Sequence, residues 1–380
     1  MRIRLHGALF IIVISLCIWK YSSSPSHHIE HASTFVEHIQ VQFQYEPRVY
    51  LSEYAIRPLS SRFIVRLQET VSRVFDRTQQ LAIMTSLSSQ YADMTLNWLL
   101  NLAVFGLHRN VVLIAEDQLS FDILENFGFG NQTILSDLGQ EMIQGKNTAY
   151  GRAEYWSYTE MRPAYVAAAW EVGVEVLWMD QDIFLFRHFL EYLEKMRPYD
   201  LLTITEDESF DNRVEMICSG IVSFPQTQRA ASLLRQWQKN MFLRKSNGGD
   251  GSNQKSLVQT LKPFYFGYRR QFASGIKVIN GSEGCSGLKV WVHKNCPAEN
   301  VLFAHNNWVI GRRIKTLRFA VNKMWLLPCS SSRTRMPSTR LIQHYQNKYG
   351  VSQSIVAKAN QISSRASRLL PDCSFWNRLS

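Results

Sequence analysis

The feature that most limits the fold is a series of short, nearly continuous apolar runs from Leu81 to Ala304, separated by stretches with helical periodicity. Strand-length runs without polar alternation are typical of parallel sheets that helices cover on both faces. The predicted strands are Leu81–Leu87, Asn110–Ala115, Val174–Met179, Asp200–Thr205, Met216–Phe224, Ile276–Ile279, Leu288–Val292 and Val301–Ala304. The predicted helices are Ser60–Phe75, Met94–Leu107, Ser120–Phe127, Ala153–Val172 and Gln226–Phe242. Their order predicts an α/β fold with one open, mostly parallel sheet and helices on both faces.

The N-terminus has the features of a membrane-targeting segment. Arg2 and Arg4 precede an apolar run from Ala8 to Trp19, and a polar stretch follows. The run is shorter than the roughly 17–25 residues of a typical span, so a cleaved signal peptide is the alternative to an uncleaved anchor. No clean small-residue cleavage site follows the run, which favours the anchor. Either reading places the rest of the chain in the secretory lumen.

Sequons and cysteines agree with a luminal location. Asn131 and Asn280 each begin an N-glycosylation triplet. Five cysteines follow the apolar run, and an oxidising lumen would allow them to pair. Cys285 could pair with Cys296, and Cys329 with Cys373, which would leave Cys218 free; spacing alone does not fix these pairs.

Composition divides the chain into four parts. We expect a cytoplasmic tail and anchor helix over 1–21, a stem with a docking helix over 22–79, one α/β domain over 80–328 and a basic extension over 329–380. Residues 330–380 hold eight Lys or Arg residues against Asp372, so most of the net charge of +11 lies in this extension. Its aromatic residues are sparse and the anchor places it in the lumen, so a nucleic-acid partner is excluded.

A carboxylate pair follows the most apolar strand. Asp180 and Asp182 come directly after Val174–Met179 and precede another apolar run. Ligands of open α/β sheets bind beyond the carboxyl ends of the strands. Two carboxylates in an apolar setting are costly unless a cation joins them, and such oxygen ligands suit Mg²⁺ or Mn²⁺, which in turn bind a diphosphate.

A second group of polar residues follows the predicted strand Val301–Ala304. The imidazole of His305 is a potential metal ligand. Gly311 would let the backbone approach a phosphate closely, and Lys315, with Arg312 or Arg313, would neutralise a departing diphosphate.

Four segments taken together resemble the nucleotide-diphospho-sugar transferase domain of glycosyltransferase family 77, which includes plant xylosyl-, arabinosyl- and galactosyltransferases. The segments are Leu96–Leu99, Ala115–Asp117, Leu177–Asp182 and His305–Gly311 with Lys315. The resemblance extends from Leu81 to Trp325. It implies a GT-A fold, a sugar transfer that depends on Mn²⁺ (or Mg²⁺) and retains the anomeric configuration, and a single-pass type II protein of the Golgi membrane with a luminal catalytic domain.

The resemblance also assigns residues to the metal and the diphosphate. It places Asp180 near the metal and the donor ribose, and Asp182 on the metal. His305 would complete the metal site from the opposite side. Gly311 and Lys315 would hold the diphosphate.

Further residues are implied on the donor side. Thr85 would lie under the base and Asp117 near the nucleoside. Arg162 and Gln181 would contact the donor, although a solvated helix residue is an equal reading of Arg162.

Two segments depart from the family pattern. Ser219 and Gly220, in Cys218-Ser219-Gly220, stand where the family tends to have an Asn-Thr-Gly-like turn on the acceptor side. Asn253 and Gln254 stand where it tends to have a catalytic Asp-Gln pair, and Asp250 is a possible substitute for the missing carboxylate.

The expected function is transfer of a pentose or hexose, such as xylose, arabinose or galactose. The donor would be a nucleotide diphosphate sugar, with UDP as the expected nucleotide, and the acceptor a glycan or glycoprotein. The alternative is a catalytically inactive luminal protein of the same fold that binds a sugar or a partner.

Overall fold

A seven-stranded open sheet forms the centre of the computed structural model, which describes residues 54, 56–74, 81–137, 153–206, 213–266, 271–279, 281–287, 289–290, 301–307, 309, 311–322 and 324–327. The strands are β1 Leu81–Leu87, β2 Val111–Ala115, β3 Thr133–Leu135, β4 Glu175–Met179, β5 Ile183–Leu185, β6 Leu201–Thr205, β7 Ile217–Phe224, β8 Tyr265–Phe266, β9 Gln271–Phe272, β10 Ile276–Ile279, β11 Gly284–Cys285 and β12 Phe303–His305. The helices are α1 Ser61–Val74, α2 Ala92–Val104, α3 Gln118–Asn126, α4 Ala153–Thr159, α5 Arg162–Trp170, α6 Phe189–Met196, α7 Gln228–Ser246, α8 Asn253–Leu261 and α9 Arg312–Val321.

The central sheet has the order β3–β2–β1–β4–β7–β6–β10. All neighbours are parallel except β7, which runs antiparallel to both β4 and β6. The register pairs Leu87 of β1 with Ala115 of β2, and Met84 of β1 with Trp178 of β4. The carboxyl ends of these three strands therefore meet at one edge of the sheet. The predicted α/β class is confirmed.

Apolar side chains cover both faces of the sheet. One core contains Trp98 of α2 and Phe184 of β5, and the other contains Tyr165 of α5 and Trp237 of α7. The predicted helix before β1 is present as α1, which buries one stripe of side chains in the second core, namely Phe63, Leu67 and Val71. All described residues belong to one compact unit.

A smaller sheet has the order β11–β12–β5. Strand β12 runs antiparallel to β5, and His305 pairs with Ile183. This pairing brings His305 to the turn that follows β4, although the two segments are distant in the sequence. Strands β8 and β9 form a separate two-stranded sheet.

Two predicted elements are wrong in detail. The single helix predicted over Ala153–Val172 is two helices, α4 and α5, because Pro163 lacks an N–H and cannot continue a helix from the preceding turn. The strand predicted over Leu288–Val292 is absent at its two described residues, since the N–H of Val290 donates to the carbonyl of Ser286 in a helical turn (3.0 Å).

Several further predictions concern the chain termini and the cysteines. The anchor, the first part of the stem and the basic extension lie outside the described residues, among which no helix is long and apolar enough to cross a membrane. Cys218 is free and buried. Cys285 is disulfide-bonded, to a cysteine outside the described residues. Asn131 is exposed, as an acceptor for glycosylation must be, and Asn280 is not described.

Candidate active site

A cleft opens at the edge of the sheet where β1, β2 and β4 end. Its walls come from the ends of β1 and β2, the start of α2, helices α4 and α5, the turn after β4, and α9. The lining residues are Thr85, Ser86, Leu87, Ser88, Tyr91, Met94, Glu116, Tyr155, Tyr158, Thr159, Arg162, Asp180, Gln181, Asp182 and Lys315. Predicted site residues from β1, α5, the turn after β4 and α9 therefore share one cleft, with His305 behind Asp182.

Asp180 is held at the mouth of this cleft by its neighbours. Its N–H donates to the carbonyl of Gly220 on β7 (2.8 Å), and its carboxylate accepts from Nε1 of Trp178 (2.9 Å). Arg162 Nη2 lies 2.7 Å from the same oxygen, and the guanidinium stacks over the Trp178 ring at 4.7 Å. Arg162 is thus a buried member of the site rather than a solvated helix residue.

Asp182 is buried and surrounded by cations. Lys315 Nζ lies 2.5 Å from Oδ2, and His305 Nε2 lies 3.4 Å from Oδ1. Burial raises the pKa of Asp182, but the charges of Lys315 and His305 outweigh it and hold the pKa well below its usual range. For the two partners, burial lowers the pKa and the Asp182 carboxylate raises it, with a net increase for both. The carboxylate is therefore ionised in the folded protein.

Three potential metal ligands meet at this point. One ligand atom from each of Asp180, Asp182 and His305 lies within 4.8 Å of the others, in the part of the chain that the structure describes. Carboxylate oxygens with one imidazole nitrogen suit a divalent cation such as Mn²⁺. The donor set fits the predicted metal, and it is assembled by the pairing of β12 with β5.

Strand β7 packs directly against the His305 ring. A Cβ atom at Gly220 would lie 2.5 Å from Cε1 of His305, so no larger residue fits there without moving the ring. Cys218, two residues earlier on the same strand, places its Sγ 3.7 Å from Nδ1 of His305. The predicted acceptor-side segment thus also packs against His305, one of the three potential metal ligands.

Asn253, at the start of α8, does not line the cleft and is linked to it through hydrogen bonds of Ser219. Ser219 Oγ donates to Asn253 Oδ1 (2.5 Å), and Asn253 Nδ2 donates to the carbonyl of Thr159 (2.9 Å). Arg162 Nη1 donates to the Ser219 carbonyl (2.6 Å) and to its hydroxyl (3.1 Å). Asn253 is buried and contacts the site through Ser219.

Asp250 does not replace the carboxylate that Asn253 lacks. Its carboxylate pairs with Arg244 Nη2 (2.6 Å) and with Lys255 Nζ (2.7 Å), outside the cleft. Gln254 is half-buried and is not among the cleft-lining residues.

Helix α9 adds a positive charge to the cleft, which Arg162 of α5 also lines. It begins after Gly311, whose φ of 98° lies in the region that favours glycine. Lys315 reaches Asp182, whereas Arg312 is engaged by Asp93 of α2 at 2.6 Å. The side chain of Arg313 is not described. Of the cations considered from the sequence around Gly311, Lys315 is the one placed in the cleft.

The end of β2 presents two neighbouring carboxylates with different surroundings. Asp117 caps α3, since its carboxylate accepts from the N–H of Ser120 (2.7 Å) and from the N–H of Ser89 (2.8 Å). It is not among the cleft-lining residues, while the adjacent Glu116 and Thr85 of β1 are. Sequence reasoning missed Glu116, although a charged residue directly after an apolar strand is the signal that identified Asp180.

The sequence is similar to a known protein family and to curated plant enzymes. Residues 106–319 match the model of the nucleotide-diphospho-sugar transferase family. A UDP-D-xylose:L-fucose alpha-1,3-D-xylosyltransferase, MGP4 of Arabidopsis thaliana, is 22% identical over 264 residues, 64% of this chain and 70% of the relative. The beta-arabinofuranosyltransferase RAY1 of the same plant is 21% identical over 278 residues, which are 70% of this chain and 51% of RAY1.

The chain is also similar to solved glycosyltransferase structures. The glycosyltransferase GlyE of Streptococcus pneumoniae TIGR4 matches with a TM-score of 0.41 and 13% identity, over 72% of this chain and 65% of GlyE. The galactosyltransferase LgtC, in complex with donor and acceptor sugar analogs, matches with a TM-score of 0.37 and 12% identity, over 73% of this chain and 99% of LgtC.

The family match covers more than half of the chain, and the sheet order, the single antiparallel strand β7 and the cleft at the strand ends agree with the GT-A architecture that the sequence predicted. The protein belongs to the nucleotide-diphospho-sugar transferase family and is a glycosyltransferase.

Proposed function

We propose that the protein transfers a pentose or hexose from a UDP-sugar to a glycan or glycoprotein acceptor, in a reaction that depends on Mn²⁺ and retains the anomeric configuration. The observation that carries the proposal is the meeting of Asp180, Asp182 and His305 with Lys315 at the end of β4. Asp182 is buried and Asp180 is half-buried, and a divalent ion at these carboxylates together with Lys315 would attract a diphosphate.

The metal would be held by Asp180, Asp182 and His305. When bound, Mn²⁺ would supply positive charge to the diphosphate leaving group. Lys315 now pairs with Asp182, and its flexible four-carbon stem would allow the ammonium group to turn to a diphosphate instead. Gly311 places the N-terminus of α9 on the same side, where backbone N–H groups favour an anion.

The remaining residues would position the donor and the acceptor. Arg162 keeps Asp180 oriented through its ion pair, and Thr85 lies near the end of β1 where the nucleoside would bind. The amide oxygen of Gln181 is buried without a hydrogen-bond partner among the described residues, which makes it available to the donor sugar. Ser219 and Gly220 lie beside the metal ligands, where the acceptor would approach.

The plant relatives support the choice of sugar. Their names describe transfer of xylose or arabinofuranose, so a pentose is the first donor to test, and galactose the next. The N-terminal apolar run supports a place in the Golgi membrane as a type II protein with the catalytic domain in the lumen.

A donor screen tests the proposal. The full chain is incubated with UDP-xylose, UDP-arabinose and UDP-galactose, with and without Mn²⁺, and the release of UDP is measured. We expect turnover of at least one donor that Mn²⁺ increases and a chelator abolishes. Asp182→Asn should lower the rate by about 100-fold or more, because it removes the ionised metal ligand while keeping its shape.

The matched control is Asp122→Asn, the same change at an exposed position of α3. It should leave the rate unchanged. An absence of turnover together with an absence of Mn²⁺-dependent nucleotide binding would favour the inactive sugar- or partner-binding protein. Full activity of Asp182→Asn would refute the metal assignment.

A further inference from the structure

Asn306 is a fully buried amide that the proposed function does not use. It follows β12 directly, next to the potential metal ligand His305, and is 0% exposed. A polar side chain that is buried in this way is costly unless its groups form hydrogen bonds. The bonds that Asn306 forms therefore indicate its role.

Asn306 forms hydrogen bonds to both partners of the ion pair in the cleft. Its main-chain N–H donates to the main-chain carbonyl of Asp182 (2.8 Å), and its side-chain Nδ2 donates to the main-chain carbonyl of Lys315 (2.7 Å). The Nζ of Lys315 lies 2.5 Å from Oδ2 of Asp182. Asn306 thus joins the backbones of two residues whose side chains form the ion pair.

The side-chain amide of Asn306 can face Lys315 in one orientation. A carbonyl group accepts hydrogen bonds and does not donate them, so the NH₂ group must point to it and Oδ1 must point away. Oδ1 is buried and has no hydrogen-bond partner among the described residues. The site therefore keeps an amide here although one of its polar atoms is left unpaired, which is unfavourable.

The bond from Asn306 attaches helix α9 to the site and is not needed to complete the helix. Lys315 lies inside α9, where each carbonyl accepts from the N–H four residues later, so its carbonyl has a donor within the helix. Arg312 and Arg318 connect α9 to other parts of the chain on either side of Lys315. The bond from Asn306 is made at Lys315 itself.

We propose that Asn306 is a positioning residue that fixes the backbone of Lys315 beside Asp182, so that only the ammonium group has to turn to a diphosphate. The inference rests on the proposed function, in which Lys315 binds the leaving diphosphate. Because the backbones of Lys315 and Asp182 stay joined, Lys315 loses less conformational freedom when the diphosphate binds. Without the amide, α9 would hold Lys315 less closely and UDP would bind more weakly.

A double-mutant cycle tests this role. Binding of UDP to the full chain in the presence of Mn²⁺ is measured by titration calorimetry for the wild type, Asn306→Ala, Lys315→Met and the double variant. We expect Asn306→Ala to weaken UDP binding by about fivefold or more, which is the effect of one hydrogen bond. In the Lys315→Met background the same change should have an effect of less than about twofold, because the ammonium group that Asn306 positions is absent.

Binding of Mn²⁺ without nucleotide separates positioning of Lys315 from a general disturbance of the site. The main-chain bond from position 306 to Asp182 does not depend on the side chain, and Asp182 is a potential metal ligand. The Mn²⁺ affinity of Asn306→Ala, measured by electron paramagnetic resonance of the free ion, should therefore be no weaker than that of the wild type.

Circular dichroism during heating reports whether Asn306→Ala is folded. If it is not, Asn306→Thr takes its place with the same expected results. Threonine has nearly the volume of asparagine, but its hydroxyl is one bond shorter than the amide nitrogen.

The matched control is Asn322→Ala, the same change at the end of the same helix. Asn322 is exposed, and its Nδ2 also donates to a main-chain carbonyl of α9, that of Arg318 (2.8 Å). Loss of this bond should leave the binding of both UDP and Mn²⁺ unchanged.

Each outcome has a distinct meaning. Binding of UDP by folded Asn306→Ala as tight as that of the wild type would overturn the role of Asn306 and leave the proposed function intact. An equal loss in the Lys315→Met background, or weaker Mn²⁺ binding by Asn306→Ala, would also overturn it, since Asn306 would then act on the site as a whole. A wild type that binds no UDP with Mn²⁺ would overturn both the role of Asn306 and the proposed function.

Discussion

Replacement of Glu116 by glutamine should make the stability of the folded protein less dependent on pH. Burial raises the pKa of Glu116 from 4.5 to about 7 in the folded protein, and in the unfolded chain the group is solvated. Between these two pH values the folded protein holds a proton that the unfolded chain has released. The free energy of unfolding therefore falls as the pH rises through this window.

The size of the effect follows from the same two values. The interval from 4.5 to about 7, at about 1.4 kcal/mol for each pH unit, corresponds to ~3 kcal/mol. This stabilisation is fully present below pH 4.5 and is lost as the pH rises through 7. The amide side chain of Glu116→Gln does not titrate, and it resembles the protonated carboxyl group in shape and charge. The variant should therefore lie within ~1 kcal/mol of the wild type near pH 5 and exceed it by ~3 kcal/mol near pH 8.

Urea unfolding of the full chain at pH 5, 6, 7 and 8, followed by tryptophan fluorescence, measures this difference. Nucleotide is left out, because a ligand would stabilise the folded state. Glu69→Gln on α1 should differ from the wild type by no more than ~0.5 kcal/mol at any pH, as is usual for a surface substitution. A constant difference between Glu116→Gln and the wild type from pH 5 to pH 8 would refute the reasoning.

Two further predictions concern the support of the site. Asn253→Asp should lower the free energy of unfolding by about 1–3 kcal/mol, because a carboxylate cannot donate to the Thr159 carbonyl as the Asn253 amide does; equal stability in urea would contradict this hydrogen bond. Gly220→Ala should weaken Mn²⁺ binding by about tenfold or more in calorimetry, since its Cβ would lie 2.5 Å from the His305 ring and displace a ligand. Unchanged Mn²⁺ affinity in a folded Gly220→Ala variant would exclude His305 from the metal site.

The large elements of the fold could be predicted because their signals are local. Strands β1 and β10 occupy the predicted residues, and β1 is a mainly apolar run between Gln80 and Ser88. Helix α9 was not predicted, and its apolar residues do not form one buried face, since Ile314 is exposed and only Phe319 is buried among the described side chains. The break between α4 and α5 could have been predicted from Pro163, but a continuous apolar pattern obscured it.

Residues of the candidate site could be predicted only where a polar side chain directly follows an apolar strand. Asp180 and Asp182 were found in this way. The contact of Lys315 with Asp182 joins residues 133 positions apart and depends on the packing of α9, which no local pattern shows. For Arg162 the sequence left two readings open, and only the packing of α5 against β7 shows that it is buried.

Of the adjacent residues Glu116 and Asp117, only Glu116 lines the cleft, and a local pattern accounts for this. Successive residues of an extended chain point to opposite sides, so only one of two adjacent carboxylates can enter the cleft. Ser120, three residues after Asp117, completes a capping box that engages Asp117 at the start of α3. That local signal is present in the sequence and leaves Glu116 as the residue that faces the cleft.

The two ends of the cleft differ in electrostatic character, and this difference has a consequence for how a ligand binds. Asp182 is ionised because Lys315 and His305 compensate its charge, whereas Glu116 has no cation partner among the described residues and holds a proton up to about pH 7. An anionic group placed at the Lys315 end meets an ammonium group, whereas at the Glu116 end it meets no cation among the described residues. Burial of a charge without a partner is costly. We therefore expect an anionic ligand of this cleft to place its charge at the Lys315 end and to keep it away from the end of β2.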